Sequence, residues 1–145
     1  MIYNIISPQK PLDFDEYYYF RWKYLRKPLD KKLGSEKDNI EHLSIHRMVL
    51  NNQKKIIAVG RIHYNTSEES QIRYFAVDSS YRKKGVGTYL MADLEDIARI
   101  KKCTTMILNA REGAVNFYKN LGYKITRKTN LLFGKIQHYE MKKVL

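Results

Sequence analysis

The sequence predicts a mixed α/β domain, a mostly antiparallel sheet with helices packed on it, and three observations lead there. Between positions 42 and 78, "HLSIHRMVL", "KKIIAVGRIHY" and "SQIRYFAVD" are rich in β-branched and aromatic residues and are separated by the polar stretches "NNQKK" and "NTSEES". That pattern predicts a meander of antiparallel strands joined by hairpin turns. After Asp78 the apolar spacing lengthens, with Val86, Leu90, Leu94 and Ile97 at helical intervals. From there strand-like and helix-like segments alternate.

Taken in order, "MIYNII" predicts a short opening strand. "DFDEYYYFRWKYLR" predicts a helix, with Asp13 as its cap and Glu16 three residues on in capping-box spacing. Phe14, Tyr17, Tyr18, Trp22 and Leu25 recur on one face of it as a core stripe, and Pro28 closes it. The meander follows. A second helix is expected over 86–101, starting at Gly85 and Gly87. "TTMILNA" reads as a short buried strand. "REGAVNFYKNLG" reads as a further helix with Ala114, Phe117, Tyr118 and Leu121 on one face, ended by Gly122 in a left-handed conformation. The tail "GKIQHYEMKK" alternates and reads as a last strand. No repeat, low-complexity segment or Pro/Gly/Ser-rich linker interrupts the chain, so residues 1–145 are expected to form one domain.

Composition narrows the function classes. No apolar run approaches the roughly 18 residues of a membrane span, and the first residues lack a basic start, a long apolar stretch and a small-residue cleavage site. A cytoplasmic location is the expectation. Cys103 is the single cysteine, which excludes an internal disulfide and a cysteine-based metal cluster; no metal is expected. The net charge of +12, from 27 Lys and Arg against 15 acids, would suit nucleic acid, an anionic membrane or a small anionic ligand. The cations are dispersed and no nucleic-acid motif accompanies them, so neither nucleic acid nor membrane is the expected partner.

The most informative stretch is "RKKGVGTYLMADLEDIA", residues 82–98. A helix that begins just past two glycines exposes its first amides with the positive end of its dipole beside them. Glycine lets a ligand approach the backbone, and Arg82, Lys83 and Lys84 add charge at the same mouth. Such a site suits an anion, above all a pyrophosphate. It is not a Walker loop, because no G-x-x-x-x-G-K-[ST] occurs. Nor is it a Rossmann fingerprint: the position three after Gly87 is Leu90, and the following strand offers Asn109 where an acid is needed.

"RKKGVG" resembles the R/Q-x-x-G-x-G/A motif of the GNAT superfamily of N-acetyltransferases. "IRYFAVDSSY" is similar to the strand before that loop, and "LNAREGAVNFYKNLGYK" to the family's later helix ending in Phe-Tyr. The likeness covers nearly the whole chain and is nearest to small stand-alone bacterial members. It implies an α/β fold of GNAT type: a mixed, mostly antiparallel sheet with about four helices and a V-shaped splay between the two central strands.

It further implies an acyltransferase that uses acetyl-coenzyme A as co-substrate. The amides of Arg82, Lys83, Lys84, Gly85, Val86, Gly87 and Thr88 would cradle the pyrophosphate. Backbone groups of Phe75 and Val77, on a bulged strand, would bond the pantetheine arm and orient the acetyl carbonyl. Asn109 would face the same slot, and Phe117 joins the coenzyme-binding set. Lys83 and Lys84 would meet the coenzyme's 3′-phosphate or face water. Tyr118 would protonate the departing thiolate; by pattern alone, a helix tyrosine next to Phe117 reads as core packing. Arg111 stands where many members carry asparagine, with Asn109 or Asn116 as substitutes. The general base is left open among Glu41, His42, His46 and His63, each also readable as an ordinary strand residue. His138 matches a recurring position without a derivable role. In the acceptor region Tyr17, Tyr18 and Trp22 could hold an apolar or amine-bearing group, and Arg21 and Arg26 an anionic one. Cys103, far from the loop, argues against an acyl-cysteine route. A non-catalytic module that binds or senses acyl-coenzyme A is the alternative. The acceptor would be a small-molecule or peptide amine, and exposed strand edges leave room for a homodimer.

Overall fold

A computed structural model describes residues 2–145. It contains three α-helices and a sheet of seven strands in the order β1-β2-β3-β4-β5-β7-β6. Ladders β1–β2, β2–β3, β5–β7 and β7–β6 are antiparallel and β4–β5 is parallel. The mixed, mostly antiparallel sheet with helices is thus the observed fold. Contacts divide the chain into two compact units, residues 2–63 with 74–94, and residues 64–73 with 95–145. Strand β4 (Glu69–Val77) and helix α2 (Val86–Ile100) run through both.

The first unit opens with β1 (Asn4–Ile6) and α1 (Pro11–Leu25). Helix α1 starts two residues before the expected cap, because Pro11 supplies the fixed φ of a first helical residue. Asp13 is therefore not the cap. It stands in the first turn and accepts the amides of Lys10 and Gln9 at 3.0 and 3.1 Å. Those bonds hold its carboxyl below the usual aspartate range. The buried face carries Tyr17, Phe20 and Arg21, packed with Met48, Val59 and Ala76, while Phe14, Tyr18 and Leu25 are half-buried. Trp22 lies at the margin, its indole donating to the Lys31 carbonyl at 2.8 Å.

Strands β2 (Ile45–Leu50) and β3 (Ile56–Tyr64) form the meander as expected. Asn51 shapes the turn between them, its side-chain oxygen taking the amides of Gln53 and Lys55 at 2.9 and 3.0 Å. Residues 57–63 of β3 are all buried, as befits a strand covered on both faces. Gly60 lets α2 approach closely: a Cβ at that position would stand 3.0 Å from Leu94 Cδ1 of α2. Helix α2 has almost the predicted span, with Val86, Leu90, Met91, Leu94 and Ala98 buried.

In the second unit β5 (Thr105–Arg111) buries Met106, Leu108 and Ala110. The expected helix after it is shorter than its sequence pattern: a 3₁₀ turn at Glu112–Ala114 leads into α3 (Val115–Asn120). Gly122 ends it with φ of 98°. The amides of Tyr123 and Gly122 return to the carbonyls of Tyr118 and Lys119 at 3.1 and 3.0 Å, a Schellman closure. Strand β6 (Lys124–Leu132) was not expected; it makes a hairpin with β7 (Ile136–Val144), which was. Consecutive positive φ angles at Phe133 and Gly134, 53° and 67°, make the tight primed turn that a twisted hairpin needs. Among the described residues no helix is long and apolar enough to cross a membrane, and no group of His, Cys, Asp and Glu has the makings of a metal site.

Candidate functional site

In the first unit the candidate residues occupy one continuous run, 75–88. Beyond Val77 the amide of Asp78 donates to the Ile57 carbonyl at 2.8 Å, and its carboxylate accepts the Ser80 amide at 2.8 Å. Burial alone would raise this carboxyl. The bonds from the Ser80 amide and the Tyr24 hydroxyl outweigh it, and the group sits below the ordinary range. The chain is thereby pinned at the strand end and turned into the loop. Lys83 and Gly85 both take left-handed backbone, φ 60° and 83°, which glycine adopts without cost and lysine only under constraint.

The Tyr89 amide returns to the Gly85 carbonyl at 3.0 Å. This makes Gly85 the cap and leaves the amides of Val86, Gly87 and Thr88 as the helix's donors without intrahelical partners. Arg82, Lys83, Lys84 and Gly85 are exposed, whereas Val86 is fully buried and anchors the loop to the core. No atom lies within 4 Å of where a Cβ on Gly85 would point, so the backbone there is open to a ligand. Lys84 sits 5.5 Å from the Tyr81 ring.

Strand β4 reaches this loop through a local irregularity. Tyr74, in mid-strand, has φ of 56°, in the left-handed region. The parallel ladder with β5 comprises the pairs from Glu69–Thr105 to Ile72–Leu108, shorter than either strand. Phe75 and Val77, past Tyr74, are half-buried.

In the second unit Tyr118 lies on α3, 7% exposed, its ring edge-on to Phe117 at 5.0 Å and to Tyr123 at 6.0 Å. Burial pushes its phenol well above the usual tyrosine value, with Arg111 pulling the other way. The phenol is therefore protonated throughout the neutral range. Asn109 is not the last residue of its strand, which continues to Arg111; its side-chain oxygen accepts the Thr129 hydroxyl at 3.1 Å. Arg111 stands opposite His138, and Asn116 is exposed. His138 is buried, with Nδ1 donating to the Ile136 carbonyl at 3.0 Å.

Of the residues weighed as bases or acceptor ligands, Glu41, His46, His63, Tyr17 and Arg21 belong to a largely buried network in the first unit. Glu41 Oε2 accepts from Arg21 at 2.9 Å and from Arg61 at 3.0 Å, and Asp38 Oδ1 accepts from Arg61 at 2.7 Å. Arg21 also donates to the Glu36 carbonyl and the Tyr17 hydroxyl. Arg26 donates to the Ser35 carbonyl at 3.0 Å. Arg21 and Arg26 are thus held by the protein rather than presented to an acceptor.

His46 Nε2 donates to the Glu41 carbonyl at 2.9 Å, so its Nδ1 accepts from Tyr17, also at 2.9 Å. Burial holds this imidazole below the usual histidine value, with the Glu41 carbonyl pulling upward. His63 receives an Arg61 hydrogen bond at 3.2 Å, and His42 is exposed. Arg61, Asp38 and Glu36 escaped the sequence reading. The one available signal was a charged residue inside the apolar run "AVGRIH".

Comparison with known proteins bears on the family and the fold. The model of the acetyltransferase (GNAT) family matches residues 1–123. The uncharacterized N-acetyltransferase YjcF of Bacillus subtilis (strain 168) is 31% identical over 126 residues, covering 87% of this chain and 89% of the relative. A crystal structure from Lactobacillus plantarum superposes with a TM-score of 0.86 at 18% identity, covering 100% of this chain and 99% of the other. A GNAT family acetyltransferase from Elizabethkingia anophelis with acetyl-CoA bound superposes with a TM-score of 0.75 at 16% identity, covering 99% of each chain.

Proposed function

We propose that the chain, which belongs to the acetyltransferase (GNAT) family, binds acetyl-coenzyme A and transfers the acetyl group directly to a primary amine. The observation that carries this reading is the run from Asp78 to Tyr89. There a left-handed Gly85 caps a 15-residue helix, its first amides are donors by construction, and three exposed cations precede it. A diphosphate can take several of those amides at once and carries more charge than a carboxylate to set against the three cations. The residues 82–88 are accordingly assigned to the pyrophosphate, and the main-chain groups of Phe75 and Val77 to the pantetheine arm and the acyl carbonyl. Asn109 and Phe117 complete the coenzyme-binding set.

The chemistry assigned to Tyr118 follows from its environment. A neutral amine attacks the thioester carbonyl carbon, the C–N bond forms and the C–S bond breaks. The sulfur leaves as a thiolate and takes the phenolic proton; the proton shed by nitrogen passes to solvent, from which the phenolate is restored. Burial raises the phenol's pKa, which keeps it protonated and makes it the weaker acid, so the proton moves only as charge builds on the sulfur. A positioned acid of this kind contributes roughly 10²–10⁴-fold.

The test is calorimetry with acetyl-coenzyme A together with a thiol-release screen over amines. Tyr118→Phe is expected to bind the coenzyme as the natural chain does and to lose about 10²–10⁴-fold in kcat. An unaltered kcat in that variant removes the proton donor. Coenzyme binding with no release across the whole panel makes the chain an acyl-coenzyme A-binding module instead.

A further inference from the structure

Tyr74 poses a question that its backbone angle alone does not answer. Glycine takes a left-handed backbone freely, and a bulky residue takes it only when its surroundings impose it. A strand that merely needed that angle would carry glycine at φ of 56°. Instead it carries a buried phenol ring, and three guanidiniums converge on that ring. The Cζ atoms of Arg21, Arg61 and Arg26 lie 4.2, 5.0 and 5.6 Å from its centroid. Arg21 and Arg61 have no solvent exposure, and cation–ring attraction is strongest where water is excluded.

The cations are themselves fixed. Glu41 bridges Arg21 and Arg61, and Asp38 adds a second carboxylate to Arg61. The parts come from separate places along the chain: Arg21 and Arg26 from α1 and just past its end, Asp38 and Glu41 from the segment after it, and Arg61 from β3. The three guanidiniums meet at a single residue of β4, and the two carboxylates hold two of them there.

We propose that the Arg21–Glu41–Arg61 network is a clamp on the Tyr74 ring that fixes the left-handed backbone of β4 there and thereby aims the main-chain groups of Phe75. Arg21, Arg61 and Tyr74 are positioning residues; none touches the reacting atoms. The role of Phe75 rests on the function proposed above, whereas the clamp itself does not. The clamp also explains why the acceptor-side arginines are buried and paired: they shape the strand that holds the thioester.

Nitrogen-15 relaxation on the full chain, without coenzyme, reads the clamp directly. The order parameter at positions 74–75 is expected to be about 0.85 in the natural chain and in Tyr74→Phe, which keeps the ring, and to fall below about 0.6 in Tyr74→Leu. Tyr74→Gly guards against a folding failure, because glycine suits the backbone angle. The clamp requires it to loosen as the leucine variant does. In turnover, the leucine and glycine variants should lose roughly tenfold in kcat with KM for acetyl-coenzyme A within about twofold, the pattern of a lost transition-state interaction. Natural order parameters and natural kcat in Tyr74→Gly would overturn the proposal, since the angle alone would then suffice. Absence of any turnover in the natural chain would overturn the proposed function and leave the relaxation result to judge the clamp.

Discussion

Each unit of the molecule buries a cluster of charge, and the two are built differently. In the second unit Glu95, 5% exposed, is fully served: its Oε1 accepts from Lys143 at 2.9 Å and its Oε2 from the Tyr123 hydroxyl at 2.9 Å. Lys143 keeps part of its length in water, at 22% exposure, and Arg99 stands 3.6 Å away at the surface. In the first unit Arg21 and Arg61 have no exposure at all, and Arg21 Nε, Arg61 Nε and Glu41 Oε1 are buried without a hydrogen-bond partner. The former is a tie that holds α2 to the hairpin with every oxygen satisfied. The latter accepts orphaned polar atoms, each costing about 1–3 kcal/mol, in order to bring cations to the Tyr74 ring. Incomplete satisfaction around a strained residue marks a cluster built for position rather than for stability.

The largest effect should come from breaking the first cluster. Arg61→Met leaves Asp38 and Glu41 short of a buried cation and is expected to cost about 3–5 kcal/mol in urea denaturation. Tyr123→Phe in the second cluster removes one bond to a carboxylate that keeps Lys143, and about 1.5–3 kcal/mol should be lost. The order of the two matters more than either value. If Tyr123→Phe costs as much as Arg61→Met, the two clusters are equivalent and the contrast between them fails.

The same contrast explains what could be read from the sequence. Helix α2 and the loop before it were legible because their signal is local: glycine, charge and helical spacing fall within residues 82–98. Strands β2 to β5 were legible because burial selects β-branched and aromatic residues along them. Strand β6 was not, since residues 124–128 are exposed on both faces and carry no alternation, and its turn uses Phe-Gly in place of Asn-Gly. The Tyr74 clamp was invisible for a different reason. Its members stand at 21, 26, 38, 41, 61 and 74, and only folding brings them together. Arg21 and Arg26 therefore looked like ligands for an acceptor, when their partners lay elsewhere in the chain.

The smallest expected effect is a tilt of stability with pH, carried by His46 at the edge of the first cluster. Its ring meets the Tyr17 hydroxyl and the Glu41 carbonyl; the Glu41 carboxylate is 3.9 Å away, and Arg21 and Arg61 stand nearby. Burial is the largest influence and lowers the folded pKa below the ordinary histidine value of 6.5, while the Glu41 carbonyl works against it. A depressed value means that the unfolded chain binds the extra proton first as pH falls. The contribution is then complete above about 6.5 and is lost as pH drops below it toward the folded value. Protonation would also place a hydrogen on Nδ1, against the Tyr17 donor, and force that hydroxyl toward the Gly60 carbonyl at 3.4 Å. His46→Gln keeps a donor toward Glu41 but cannot titrate. Urea midpoints at pH 7.5 and 5.5 should therefore converge between the natural chain and this variant as the pH falls. A gap of equal size at both pH values would show that the folded and unfolded chains bind this proton alike, so that the folded imidazole is not depressed and the first cluster is indifferent to mild acid.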